Sequence, residues 1–199
     1  MPVVISMLRG INLGKHRRVK MDDLRTAYES LKLRDVRTYL QSGNVVFTTK
    51  EGDSTVLARR LETQLERTLG FRADVIARSV SDMRAVVARN PFAHRSGIDR
   101  SRLLVTFLAA DPGEEARDKV RSIKTDPEEL RIDGRELYVY FPEGMGRSKL
   151  PAAAIEKALK TTGTARNWNT VTKLLEIAEQ LEASSAALEG SSPCRGSTM

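Results

Sequence analysis

The order in which the hydrophobic period changes along the chain constrains its fold more than any single motif. Val3 to Arg9 ("VVISMLR") is a short apolar run with β-branched residues, the pattern of a strand. Met21 to Leu33 places Leu24, Ala27, Tyr28 and Leu31 at helical spacing. Asp22 and Asp23 fall in its first turn, where carboxylates suit the helix dipole. "VRTYLQ" and "NVVFTT" read as two strands around a tight turn at Ser42-Gly43. A helix capped by Asp53 or Ser54 follows, with Leu57, Leu61, Leu65 and Leu69 on one stripe, and Gly70 ends it. "RADVIAR" is a fourth strand. The sum is βαββαβ, the order of a ferredoxin-like unit.

A helix from Ser81 to Asn90, capped by Ser81, leads into the loop "NPFAHRSG", since Pro91 disfavours helix at Asn90. The order then starts again: strand Arg102 to Ala109, helix Gly113 to Ile123, strand Glu129 to Asp133, a turn at Asp133-Gly134 and strand Glu136 to Phe141. Helices from Pro151 to Lys160 and from about Asn167 to Leu181 complete it, with no obvious closing strand. The expected fold class is α+β: two ferredoxin-like halves, βαββαβ and βαββα, with C-terminal helices. The expected divisions are a first half over 1–80, a linking helix and loop over 81–101, a second half over 102–182 and a disordered tail over 183–199.

A chain of 199 residues, 40% of them hydrophobic, can bury a real core, and 30% charged residues argue against a membrane protein. "MPVVISMLRG" lacks the basic region and cleavage site of a signal peptide. The single cysteine, Cys194, excludes a disulfide framework or cysteine zinc site, and His16 and His94 alone make no metal site. No metal or cofactor is expected, and a cytoplasmic location is the simplest reading.

Charge singles out one end of the first half. Residues 1–50 carry 10 Lys/Arg against 4 Asp/Glu, whereas residues 151–199 balance at 5 against 5. Between Arg9 and Lys20 lie Lys15, His16, Arg17 and Arg18 and no acid. A local excess of this kind suits an anionic partner. In a βαββαβ unit the third strand runs back beside the first, so "RGINLG" should meet "QSGN" at the rim where the first helix begins. Arg9, Asn12, Lys15 and Lys20 would converge there with Gln41, Ser42 and Asn44, beside backbone N–H groups that favour anions. The plainer reading is a solvated basic loop with ordinary turn residues.

Two later stretches offer similar chemistry. "FPEGMGRSKLP" is a strand–glycine loop–helix sequence in which Arg147, Ser148 and Lys149 supply donors, without Walker or dinucleotide-fingerprint spacing. "TGTARNWNTVTKLLEIA" opens a helix, with Thr164 or Asn167 as cap. Arg166, Asn167 and Asn169 are grouped at its start, where they could hold a phosphate or carboxylate. Trp168, Val171, Leu175 and Ala178 share a stripe, so Trp168 belongs in a core.

Taken in order, "LRGINLG…VKM", "TYLQSGNVVF", "NPF", "GMGRSKL" and "TARNWNTVTKL" closely resemble the bacterial DUF1697 family, over about Val3 to Leu181. The resemblance implies an α+β fold with ferredoxin-like repeats and no agreed activity. The family's loop after "RGIN" is more glycine-rich, whereas here "LGKHRR" is basic.

The leading functional expectation is binding of a phosphorylated or otherwise anionic ligand, a nucleotide or a nucleic-acid end, through these loops. An RNA-recognition sheet is disfavoured by 5% aromatic content and the missing RNP1 pattern. A small enzyme acting on a phosphorylated or carboxylated metabolite is the alternative, with Arg9 or Lys20 stabilising developing charge and only His16 as a general base. A protein-interaction module using a sheet edge is the third reading.

Overall fold

The computed structural model describes residues 1–12 and 18–190. The first sheet is built from β1 (Val3–Leu8), β2 (Arg34–Tyr39), β3 (Asn44–Thr48) and β4 (Val75–Ser79), in the spatial order β2-β3-β1-β4. Helix α1 (Met21–Ser30) joins β1 to β2, and α2 (Ser54–Leu69) joins β3 to β4. Helix α3 (Val80–Ala88) follows. The second sheet repeats the plan: β5 (Leu103–Leu108), α4 (Glu114–Arg121), β6 (Glu129–Asp133), β7 (Glu136–Tyr140), α5 (Ala152–Leu159) and β8 (Gly163–Asn167), ordered β6-β7-β5-β8. Helix α6 (Trp168–Gly190) comes last. Among the described residues all six strand pairings are antiparallel.

Strand β1 is buried along its whole length, which is why it reads as a continuous apolar run and not an alternating one. Val4 and Leu8 face the core under α1 and α2, while Val3, Ile5 and Met7 face a central core. That central core takes residues from both sheets and from α3 and α6, and includes Trp168, Val171 and Leu174. A third core lies between the second sheet and α4 and α5, with Leu150 packed at its edge. The layers therefore run helix pair, sheet, helix pair, sheet, helix pair.

Local chemistry explains the boundaries. The Asp53 carboxylate accepts hydrogen bonds from the Thr55 and Val56 N–H groups at the start of α2, and Gly70 ends the helix at φ 74°. Ser79, not Ser81, caps α3, in a reciprocal capping box with Asp82. The turn between β2 and β3 needs Gly43 for two reasons: its φ is 77°, and a Cβ there would lie 2.6 Å from Ile11 Cδ1.

Two sequence expectations are corrected. Residues 163–167, expected to lead into the last helix, form β8, which closes the second sheet by pairing with β5 from Leu104↔Asn167 to Leu108↔Gly163. Residues 183–190, expected to be a disordered tail, continue α6. Extending an existing helix avoids the cost of nucleation, and "ASSAALEG" is rich enough in helix formers to propagate one. Cys194 lies outside the described residues. No helix among the described residues is long and apolar enough to cross a membrane.

Candidate functional site

The rim of the first sheet brings together the two stretches whose meeting its strand order requires. The Leu8 N–H donates to the Gly43 carbonyl, and Met7 faces Asn44 across the β1–β3 ladder. The Asn12 amide donates to the Gln41 carbonyl at 2.6 Å and to the Val19 carbonyl at 3.2 Å. Its Oδ1 accepts from the Val19 N–H at 2.8 Å. Asn12 thus ties both ends of the basic loop to the hairpin. Gly14, Lys15, His16 and Arg17 lie outside the described residues. Arg18 and Lys20 are exposed, and Lys20 precedes α1 without a side-chain cap bond.

Arg166 crosses to this rim from the edge strand β8, with its side chain buried. Its Nε donates to Asn44 Oδ1. Nη1 donates to Thr164 Oγ1 and to the Ala165 carbonyl; Nη2 donates to the carbonyls of Leu8 at 2.8 Å and Ser42 at 2.9 Å. The acceptors are all neutral. With no carboxylate to offset burial, the guanidinium pKa is pushed down to about 10. Asn44 is itself fully buried and donates to the Tyr39 carbonyl and Ser42 Oγ, so its amide is committed on both sides.

The same construction appears with the sheets exchanged. Arg78 lies on β4, the edge strand of the first sheet, and its Nη2 donates to the Leu108 carbonyl at the end of β5. Its Nη1 donates to the carbonyl of the preceding Ala77, as Arg166 does to Ala165. Its Nε, however, meets the carboxylate of Glu136 at 3.0 Å, where Arg166 meets the amide of Asn44. Both joints bury an arginine, but only one supplies a counterion. The joint at Arg78 adjoins a cavity of about 170 Å³, whereas the joint at Arg166 opens into a cleft of about 720 Å³.

That cleft is bounded by Leu8 to Ile11 and Ser42 on one side and by Gly163 to Arg166 on the other, with Arg72 and Asp74 beside them. The Arg9 backbone N–H donates to the Asp74 carbonyl. Its half-exposed guanidinium lies 3.5 Å from the Asp74 carboxylate and 3.6 Å from Glu156. Such exposed, loosely spaced pairs contribute little and exchange readily. The cleft thus presents three arginines, Arg9, Arg72 and Arg166, and one lining carboxylate, Asp74. An arrangement of this sign can hold an anion, with Arg9 able to offer a planar pair of N–H groups by exchanging its weak carboxylate partners.

The remaining sequence candidates lie elsewhere. Arg147, Ser148 and Lys149 are not among the residues lining the cleft. Their loop does embrace an anion, but an internal one: the Lys149 N–H donates to Glu128, and a hydrogen bond from Ser148 holds the Glu128 carboxyl below its ordinary range. Asn167 donates to the Ser101 carbonyl and accepts from the Asn169 N–H, opening α6. Sequence reasoning missed Arg72, Asp74 and Gly163 in the cleft, and the Arg78–Glu136 pair. The available signal was the internal match between "ARSV" at 77–80 and "ARNW" at 165–168, each an edge-strand arginine followed by a helix cap. Among the described residues no group of His, Cys, Asp or Glu is placed to hold a metal ion.

The family model described as "Protein of unknown function (DUF1697)" matches residues 1–138. No curated protein matches the chain. The solved structure of the conserved bacterial protein SP0830 from Streptococcus pneumoniae is similar, with a TM-score of 0.71 and 23% identity, covering 90% of this chain and 99% of that one. At that identity the likeness shows the fold alone.

Proposed function

The chain belongs to the DUF1697 family, and from its cleft we propose that it binds a small phosphorylated or carboxylated ligand, a nucleotide or a nucleic-acid end, at the joint between the two sheets. One observation carries the reading: the cleft wall contains a buried guanidinium, Arg166, whose five N–H groups are spent on neutral acceptors. A buried cation without a counterion is costly, and an anion lodged in front of it returns part of that cost. Arg166 contributes field and Arg9 contributes donors, while Asn12 and Asn44 hold the rim in shape. A volume of about 720 Å³ suits a small molecule.

The division that supports this reading is two ferredoxin-like units, 1–80 and 102–182, joined through 81–101. The repeated strand order and the exchanged arginine joints favour it.

A thermal-shift screen with nucleotides, phosphosugars, carboxylates and short RNA or DNA tests the proposal, because a ligand that binds only the native state raises its melting temperature. We expect a subset of anions to stabilise the protein, less so as salt is raised. Arg9→Ala should lose that shift while its own stability changes by no more than about 1 kcal/mol, given the exposure of its ion pairs. Asn44→Asp, which gives Arg166 the carboxylate that Arg78 already has, should weaken anion binding at least tenfold. A ligand response that survives both substitutions would place the binding site elsewhere.

A further inference from the structure

We propose that the ligand is an amphiphile: an anionic group joined to one apolar ring or short chain, with the apolar part lodged on the outer face of the second sheet. The inference rests on the anion-binding reading above and adds the class of molecule. A second cavity, of about 200 Å³, adjoins the charged cleft, and Gly163 and Ala165 of β8 line both. Its walls are otherwise largely apolar and include Leu104, Leu108, Val139, Ile155 and Leu159.

The cavity exists because the two sheets are covered unequally. Helix α2 has 16 residues and packs along β4. Its counterpart α5 has 8 residues and leans on α4, leaving the outer face of β8 open. On that strand the outward-facing Ala165 carries only a methyl, while the place of a Cβ at Gly163 is taken by Thr106 and Leu108 of β5, 2.8 and 3.0 Å away, so Ala165 is the small residue that leaves room. An apolar cavity of about 150 Å³ holds a benzene molecule. The one here therefore takes a single ring or a chain of similar bulk.

Charge complementarity and continuity fix the occupant. Glu156 lines the apolar cavity, and its carboxylate reaches Arg9 at 3.6 Å. It stands at the junction as an exposed carboxylate that another anion can replace on Arg9. A ligand whose phosphate or carboxylate takes the place of Glu156 on Arg9 has its remaining atoms directed at the apolar walls. A fully polar ligand would leave those walls wet, and a neutral apolar one would leave Arg166 uncompensated.

The test measures affinity by melting-temperature shift of the full chain with a matched series: inorganic phosphate, phenyl phosphate and hexyl phosphate; acetate, benzoate and hexanoate; and phenol and hexanol as neutral controls. Phenyl or hexyl phosphate should bind at least tenfold more tightly than inorganic phosphate, and the carboxylates should rank likewise. Ala152→Leu, at an exposed position on the first turn of α5 that lines only the apolar cavity, should abolish the preference and spare inorganic phosphate. Thr106→Leu should do the same from the sheet side. If inorganic phosphate binds and its organic esters bind no better, the amphiphile is excluded while the anion site stands. If phenol and hexanol bind as tightly as the esters, the anion reading fails, and with it this proposal. A preference that persists in both variants also overturns it, because the apolar group then lies elsewhere.

Discussion

Arg166→Ala is expected to cost about 3 kcal/mol of stability, seen in urea denaturation as a lower midpoint with little change in slope. The substitution removes the donors of Asn44 Oδ1, Thr164 Oγ1 and the carbonyls of Leu8, Ser42 and Ala165 together. A stranded buried acceptor costs about 1–3 kcal/mol, and water entering from the open cleft satisfies some of them, which keeps the total well below the sum. Arg166→Lys separates structure from charge. An ammonium has three donors and no planar fork, so it cannot serve all five acceptors, yet it keeps the positive field. The lysine protein should therefore be less stable than the wild type and still respond to anions, whereas the alanine protein should lose both. Equal stability of all three would show that the contacts across the joint do not hold the sheets together.

Trp168→Ala should be more damaging still, at about 3–5 kcal/mol, the range for removing a large aromatic side chain from a core. Trp168 begins α6 and is 6% exposed in the cluster shared by both sheets. Its loss opens a void between layers whose other members, such as Phe107 and Tyr138, are fixed by strand pairing and cannot collapse into it. The measurement is again equilibrium denaturation. Unchanged stability with altered ligand response would reassign the indole to a stacking role.

The first sheet was legible because its signals are local. The Asp53 cap, the leucine stripe of α2 and the Ser42-Gly43 turn each act within a few residues, and together they impose the order β2-β3-β1-β4. The meeting of Arg9 with Ser42 followed from that order. Strand β8 was not legible, because "GTARN" has one β-branched residue and a charged one whose burial depends on partners more than a hundred positions away. Arg166 looks like a surface residue until Leu8 and Ser42 are placed beside it. The loop at Arg147 to Lys149 reads as a donor loop for a ligand, whereas the carboxylate beside it, Glu128, lies 21 residues upstream of Lys149 and carries no mark of that role in the sequence. The Arg78–Glu136 pair was missed for the same reason, since its members are 58 residues apart.

The exchanged arginine joints have a consequence for how a site of this kind can arise. If the two sheets belonged to identical subunits related by a twofold axis, every substitution would occur twice, and a carboxylate lost from one joint would be lost from both. The assembly would then carry two uncompensated buried cations, or none. Joining the sheets in one polypeptide lifts that constraint. Glu136 can go on neutralising Arg78 in one joint while the matching place beside Arg166 is held by Asn44. One joint is left to fasten the molecule, and the other is released from that duty and open to specialisation.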